Sequence, residues 1–547
     1  MTRAGAGALV ALALTAGLAL RVARLDARPM HHDEANQAVK FGELLEHGQY
    51  RYDAHDHHGP TLYYLSLPAA WLRGQHTLAS LDERTLRGVT AVFGAATIVL
   101  LPLFAAGIGR TAAATSAILM ALSPVMVFYS RMFIQESLFA CFTLAFVIAI
   151  GRAAMGGGTR WWLLAGAAAG LAIATKETAA IVLPSALLAA LIAWRSMGSS
   201  HPVPRPDARS ACLALIVAAA VSVVFYSSFL TYPAGVMQPF LGIATYVDRG
   251  VAPASHAQPW YYYFGLLSYS SSGGLNWSEG LVLALALAGL GAGLVRQALS
   301  HPAPLFYTRY VAWTVAITAA IFSAIPYKTP WNLLPFYVGV IVLAGIGFSW
   351  IVHATSSRAL RGIVAAGLVV GSAHLGWQAW RASVTYAADT RNPYVYAQTV
   401  PDTVRMATRI HALAALDPNG DRMQVSVVAP AYEQWPLPWY LRAMPNVGYW
   451  PAPGDGAVLQ APVIVASTDL TAALEASLGD RYVSEFYGLR PDVLLALYVE
   501  RGLWDRFLAR TALGPAAPGC PDSSGLPPSR DCGRALAVAL WRTASAQ

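Results

Sequence analysis

Eleven stretches of this chain are apolar over something close to twenty residues, and that repeated length restricts its fold more than any other feature. A helix of about 20 apolar residues crosses the hydrocarbon core of a bilayer. The predicted spans are roughly 5–24, 86–108, 111–128, 133–151, 161–175, 178–194, 211–230, 279–295, 310–326, 331–352 and 361–380. The fifth and sixth are short and separated by a charged turn. The first lacks a small-residue cleavage site before its polar flank, so it reads as a retained anchor. Only 12% of the residues are charged, against about 25% in a soluble domain. The expected fold is a polytopic α-helical membrane protein of about 11 spans, with a small α/β domain at the C-terminus.

The net charge of +8 is no footprint of nucleic acid, because the arginines occupy short loops between apolar runs, where they set topology. With the N-terminus cytoplasmic, the cytoplasmic loops hold Arg110, Arg152, Arg160, Arg195, Arg205, Arg209, Arg296, Arg309, Arg358 and Arg361. Asp207 is the acidic exception. The opposite face then carries Asp33, Glu34, Arg131, Glu136, Lys176, Glu177, Asp248 and Lys328. Ionisable groups beside a bilayer are costly and usually face a cavity or a partner. Acid and base from several segments on one side point to a shared polar site; structural salt bridges and snorkelling side chains are the plainer reading.

Two outer loops and a tail complete the plan. Residues 1–384 form the membrane module, with outer loops at 25–84 and 231–278. Within the first loop, Pro60–Leu72 suits an interfacial helix with proline at its start. The second is rich in Tyr, Trp, Ser and Gly, a composition of the headgroup level. Residues 385–510 read as an extracytoplasmic α/β domain, with buried strands at 425–430 and 463–466 and helices at 398–416 and 469–479. Residues 511–547 form a linker and tail. Four cysteines are too few for a disulfide framework. Cys141 and Cys212 fall in apolar runs and read as buried thiols; Cys520 and Cys532 could pair in an oxidising compartment.

The residues able to do chemistry lie on the non-cytoplasmic face. Asp33 and Glu34 follow the first span, and a carboxylate there could take a proton from a hydroxyl. Gln135 and Glu136 start another span at its outer end. Lys176-Glu177 and Tyr327-Lys328-Thr-Pro-Trp331 occupy outer turns. Two lysines with Arg131 would make an anion site for a phosphate leaving group; either lysine could instead contact lipid headgroups. His55, Asp56 and His57 offer ligand types that a divalent ion accepts, without a strict zinc motif. No cofactor is otherwise indicated.

Taken in order, these motifs resemble the GT-C class of integral-membrane glycosyltransferases. The likeness is to the protein O-mannosyltransferases, the aminoarabinose transferases acting on lipid A, and the archaeal-type family associated with flippase activity. The carriers of the resemblance are His31-His-Asp-Glu-Ala35, Asp56-His-His-Gly-Pro60, Tyr129-Ser-Arg-Met-Phe-Ile-Gln-Glu136, Gly166–Leu171 followed by Thr175-Lys-Glu177, and Tyr327-Lys-Thr-Pro-Trp-Asn-Leu-Leu-Pro335. Gly59 departs from a His-Pro-Pro element, and Glu136 stands where many relatives have Asp. The resemblance implies an inverting transfer from a polyprenyl-phosphate sugar to a hydroxyl of a protein, lipid or glycan. Asp33 would be the general base, with Glu34 and Glu136 orienting the base or binding the sugar. Arg131, Lys176 and Lys328 would meet the phosphate, and His58, Gln135, Glu177, Tyr327 and Trp331 would line the substrate site. The location implied is the plasma (inner) membrane. A flippase for lipid-linked sugars and a non-catalytic envelope scaffold are the competing readings. A transporter more often shows repeats and midplane charges, and a scaffold should tolerate Asn at position 33.

Overall fold

A computed structural model describes residues 1–53, 58–197, 207–251, 256–294, 302–454, 456 and 458–512. The metal candidates His55, Asp56 and His57, the cysteines Cys520 and Cys532, and most of the 511–547 tail lie outside these residues.

Among the described residues, eight helices are long and apolar enough to cross a membrane. They include α1, Arg3–Val22, and the helices Glu83–Ile108, Glu136–Ala154, Ala179–Ser196, Ala208–Tyr226, Pro304–Ala324, Pro330–Ala354 and Arg358–Thr385. Three predicted spans fall short of that length. The run 111–128 is cut after Leu122, where Ser123 caps a new six-residue helix and Pro124 takes its first position. Helix Thr159–Ile173 has 15 residues and turns out at Ala174. Helix Gly280–Leu294 also has 15. The protein is a polytopic helical membrane protein, with fewer full-length spans than its apolar runs suggest.

Helix 159–173 packs tightly on helix 208–226. A Cβ at Gly166 would stand 2.3 Å from the Ala214 carbonyl oxygen, and one at Gly170 2.6 Å from that of Ala218. Small residues let helices in lipid approach to backbone contact. Cys141 is buried as expected, but Cys212 is exposed on the flank of its apolar helix.

Two shorter helices follow α1. Helix α2, His32–His47, starts directly beyond the first span and ends on Gly48 in the left-handed conformation. Helix α3, Thr61–Leu72, forms where the interfacial helix was expected, with Pro60 one position earlier than predicted, at its N-cap. A short hairpin, β1 Ser270–Ser272 and β2 Leu275–Trp277, closes the second loop.

The chain divides into two compact units. The first comprises residues 1–404, 435–443 and 488–493; the second comprises 405–434, 444–487 and 494 onward. Residues 385–404, expected with the polar domain, therefore belong to the membrane unit. The polar unit is built on a five-stranded sheet, ordered β4-β3-β5-β7-β6. Its strands are β3 Val425–Val428, β4 Val447–Trp450, β5 Val463–Ser467, β6 Tyr482–Arg490 and β7 Val493–Glu500. Strand β3 runs parallel to β4 and β5, and β5 runs antiparallel to β7. β3 and β5 are buried along their whole length, which explains why they read as near-continuous apolar runs broken only by the buried Ser426 and Ser467.

Candidate active site

Helix α2 begins with a histidine cap. The His31 Nδ1 accepts the Asp33 backbone N–H at 3.0 Å, and the Glu34 carboxylate accepts the His31 backbone N–H at 3.1 Å. This reciprocal capping box satisfies donors that a helix start otherwise leaves open. It also sends the two neighbouring acids in different directions. The Asp33 side chain is 41% exposed, whereas that of Glu34 is fully buried.

Glu34 is held from all sides. The Arg87 guanidinium donates to its two oxygens at 2.7 and 2.8 Å, Arg28 at 3.2 Å and the Phe133 N–H at 2.9 Å. Burial works against its charge, but Arg87 and Arg28 outweigh it and hold its pKa down at about 2. Arg131 stands behind this cluster. It donates to the carbonyls of Leu20, Arg21 and Arg24 at 2.8, 3.1 and 3.3 Å, closing the C-terminal end of α1. The sequence placed this guanidinium in a phosphate site; in the structure its Nη1 and Nη2 are turned onto backbone carbonyls.

Asp33 faces a different environment. Burial would raise its pKa, yet His32, His58 and His256 around it lower it, so the carboxylate stays ionised. His58 in turn binds Glu177, its Nδ1 lying 2.8 Å from Oε2. Burial disfavours the charged imidazole, but Glu177 overrides that and raises the His58 pKa. The Tyr52 hydroxyl donates to the other Glu177 oxygen at 3.0 Å.

What brings His58 to Glu177 is Gly59. A Cβ there would stand 2.3 Å from the Ala174 carbonyl oxygen and 2.9 Å from the Thr175 carbonyl carbon. The next residues complete the seam, with the Thr61 N–H on the Ala174 oxygen at 3.1 Å and the Thr61 and Thr175 hydroxyls 2.7 Å apart. Glycine at position 59 is thus required by direct contact between the first loop and the 174–177 turn.

Lys176 leaves that turn on the same side. Its ammonium pairs with Glu136 and donates to the Asn332 amide oxygen at 3.0 Å. Gln135 bonds to Gln37 at 3.0 Å, tying the start of helix 136–154 to α2. Trp331 is buried with its edge to His31, Tyr129 and Tyr396, at ring separations of 5.7, 6.1 and 5.9 Å. Residues 256–258 pair with 326–328: the Gln258 N–H reaches the Pro326 oxygen, and the Lys328 N–H reaches that of His256, each at 3.1 Å. This places the His256 ring against Tyr327 at 5.3 Å and turns the Lys328 ammonium onto the Gln258 and Ile325 carbonyls. Burial lowers the Lys328 pKa. Asp248 is exposed on the short helix Ile243–Val251.

The structure therefore gathers Asp33, His58, Glu136, Lys176, Glu177, Tyr327, Lys328 and Trp331, with Gln135 behind them and Glu34 and Arg131 apart. Sequence reasoning missed His256, Asn332, Gln37, Tyr52 and Tyr396. Asn332 was within reach, since it directly follows Trp331. Among the described residues, no three His, Cys, Asp or Glu side chains form a group that could hold a metal ion.

Comparison with known proteins bears on the fold. The profile of the family described as dolichyl-phosphate-mannose-protein mannosyltransferase matches residues 66–223. A structure of ArnT from Cupriavidus metallidurans bound to undecaprenyl phosphate superposes with a TM-score of 0.59, at 16% identity over 92% of this chain and 99% of that one. Its apo form gives 0.61 at 16% identity, over 90% and 98%. The oligosaccharyltransferase AglB from Archaeoglobus fulgidus, in complex with an inhibitory peptide and a dolichol-phosphate, gives 0.56 at 13% identity, over 91% and 74%. No curated protein matches the chain in sequence. At these identities the likeness is one of fold. That fold is the GT-C fold of integral-membrane glycosyltransferases, the class of enzyme that the motifs implied.

Proposed function

We propose that the chain transfers a sugar from a polyprenyl-phosphate carrier to an acceptor hydroxyl at the non-cytoplasmic membrane surface, with Asp33 as general base. The observation that carries this reading is the contrast at the start of α2. Among the acids of the cluster, Asp33 combines an accessible carboxylate with surroundings that keep it ionised, while the side chains of Glu34, Glu136 and Glu177 are tied to cations.

In this reading the acceptor hydroxyl gives its proton to Asp33 as its oxygen attacks the anomeric carbon. The bond from that carbon to the carrier phosphate breaks on the opposite side, and the phosphate leaves with the bonding electrons. One displacement inverts the anomeric configuration. Lys176 meets the developing charge, since an ammonium has three donors and Glu136 and Asn332 occupy two. Lys328 likewise keeps one donor beyond its two carbonyls. Glu136 aims Lys176, the His58–Glu177 pair and Tyr327 border the sugar, and Trp331 walls the site. The acceptor is a protein, lipid or glycan. The match to a family acting on dolichyl-phosphate mannose and the fold shared with ArnT bound to undecaprenyl phosphate support a polyprenyl-phosphate donor. The basic loops support a cytoplasmic N-terminus in the plasma membrane.

The test is to delete the gene in its host and restore wild type or Asp33→Asn at equal membrane levels. Polyprenyl-phosphate sugars are then measured by mass spectrometry. Accumulation of one such lipid in both the deletion and the Asp33→Asn strain is expected and identifies the donor. A wild-type lipid profile with Asp33→Asn would remove Asp33 as the base and favour the transporter or scaffold readings.

A further inference from the structure

We infer that His31 is a positioning residue for Asp33: a neutral imidazole, fixed in its Nε2–H tautomer, that caps α2 without placing a second charge beside the base. This rests on the reading of Asp33 as the base. The tautomer follows from the partners. Nδ1 lies 3.0 Å from the Asp33 backbone N–H, which can only donate, so Nδ1 carries the lone pair. Nε2 lies 2.9 Å from the Tyr396 carbonyl oxygen, which can only accept, so Nε2 carries the proton. Both nitrogens are thereby used, and the ring has no site left from which to exchange a proton with substrate. Protonating Nδ1 would set a donor against the Asp33 N–H and break the cap.

The surroundings fit this role. His31 is 3% exposed, with Trp331 set edge-on to its ring at 82°. Ser, Thr, Asp and Asn are the common caps. Aspartate there would put an anion where the His31 Nδ1 now lies 3.9 Å from the Asp33 carboxylate, raising the pKa of the base. The short alternatives could not also reach Tyr396, 365 residues along the chain. His31 thus ties the start of α2 to the 392–398 segment, whose Tyr396 hydroxyl contacts His256. The charged and titratable groups around this corner are Asp33, Glu34, His32, His58 and His256.

The experiment has two parts, on the full-length protein in lipid nanodiscs. Nitrogen-15 NMR of the histidine rings, with His31→Asn to assign the signal, reads the tautomer directly. An unprotonated Nδ1 beside a protonated Nε2 is expected; a protonated Nδ1 overturns the inference. The second part measures turnover of the accumulated donor lipid against pH. His31→Ala should lower kcat about fivefold with KM for the donor unchanged, and His31→Asn should restore most of it. His31→Asp keeps a cap but adds a charge, so the acidic limb of its profile should move up by about one pH unit. A His31→Asp profile that superposes on wild type, or a His31→Ala enzyme with wild-type kcat, overturns it as well. If Asp33→Asn also turns over normally, the base assignment has failed, and the tautomer result still stands on its own. Should His31→Ala not fold, the NMR reading and the other two variants decide.

Discussion

Two charged clusters lie at the same end of the helical unit and start from adjacent residues, yet they are finished differently. Around Glu34 the carboxylate is fully engaged: two arginines and two backbone N–H groups leave it no free direction. Around Asp33 capacity remains, with an accessible carboxylate and two ammonium groups that each retain a donor, beside the imidazoles of His32, His58 and His256 from three separate segments. The first cluster is architecture that fastens α2 to helix 83–108 and to the 131–134 turn. The second has capacity left for a substrate. Charge density alone does not mark a site; unspent hydrogen-bonding capacity at a reachable surface does.

The sharpest way to break this comparison is at its two acids. Asp33→Asn keeps shape and cap but cannot take a proton, and the rate of sugar transfer should fall by about 10²–10⁴ with little change in thermal stability. Glu34→Gln should do the reverse. Removing one partner of a buried ion pair costs roughly 3–5 kcal/mol, so the variant should be poorly folded in detergent, as seen in its melting temperature. The pH dependence follows from the same pair. The Glu34 pKa falls from 4.5 to about 2 on folding, so its stabilisation is complete above pH 4.5 and is lost as pH falls toward 2. Acid melts of wild type should show that loss, and Glu34→Gln should lack its share of it. If the two substitutions behave alike, the division between site and architecture is wrong.

The lysine cluster allows a finer cut. Lys176→Gln keeps a hydrogen bond to Asn332 or Glu136 but removes the charge that meets the leaving phosphate. The rate should fall by about 10²–10³. Glu136→Gln, which only aims that ammonium, should cost less, about tenfold. Equal losses would mean that Glu136 itself contacts the reacting groups. The readout is turnover of the donor lipid at saturating acceptor.

How much of this was legible in the sequence depends on the range of the physics involved. Lipid demands apolarity residue by residue, so the spans were visible as runs. Their ends were less visible, because Ser123-Pro124 restarts a helix without interrupting the apolar run. The motifs around Asp33, Glu136, Lys176 and Trp331 could be read because each lies beside a span end and the spans alternate sides. The division of labour between Asp33 and Glu34 was hidden. It is decided by Arg87 and the Phe133 N–H, 53 and 99 residues away, and nothing local to Asp-Glu announces them. His256 is placed by pairing of its loop with residues 326–328, and Tyr396 sits where a polar domain was expected to have begun. Gly59, a departure from the His-Pro-Pro pattern, turned out to be explained by a backbone contact that no local pattern encodes.

The smallest effect should come from Arg131, and it sharpens the boundary between the clusters. In the sequence this residue stands between Tyr129 and Glu136 and reads as a phosphate ligand. In the structure its guanidinium spans the carbonyls of Leu20, Arg21 and Arg24, and its own carbonyl accepts from Arg28 at 3.0 Å. Arg131→Lys separates the two roles. An ammonium can keep one or two of the carbonyls but not the whole fork, so the melting temperature should drop by an amount equivalent to about 1 kcal/mol. Transfer should stay within about twofold of wild type, because the charge was never spent on substrate. A phosphate ligand would behave the other way, since exchanging a forked donor for a point charge at an oxyanion alters the rate while leaving the fold intact. Measuring melting and turnover on the same preparation therefore assigns Arg131 to one cluster or the other.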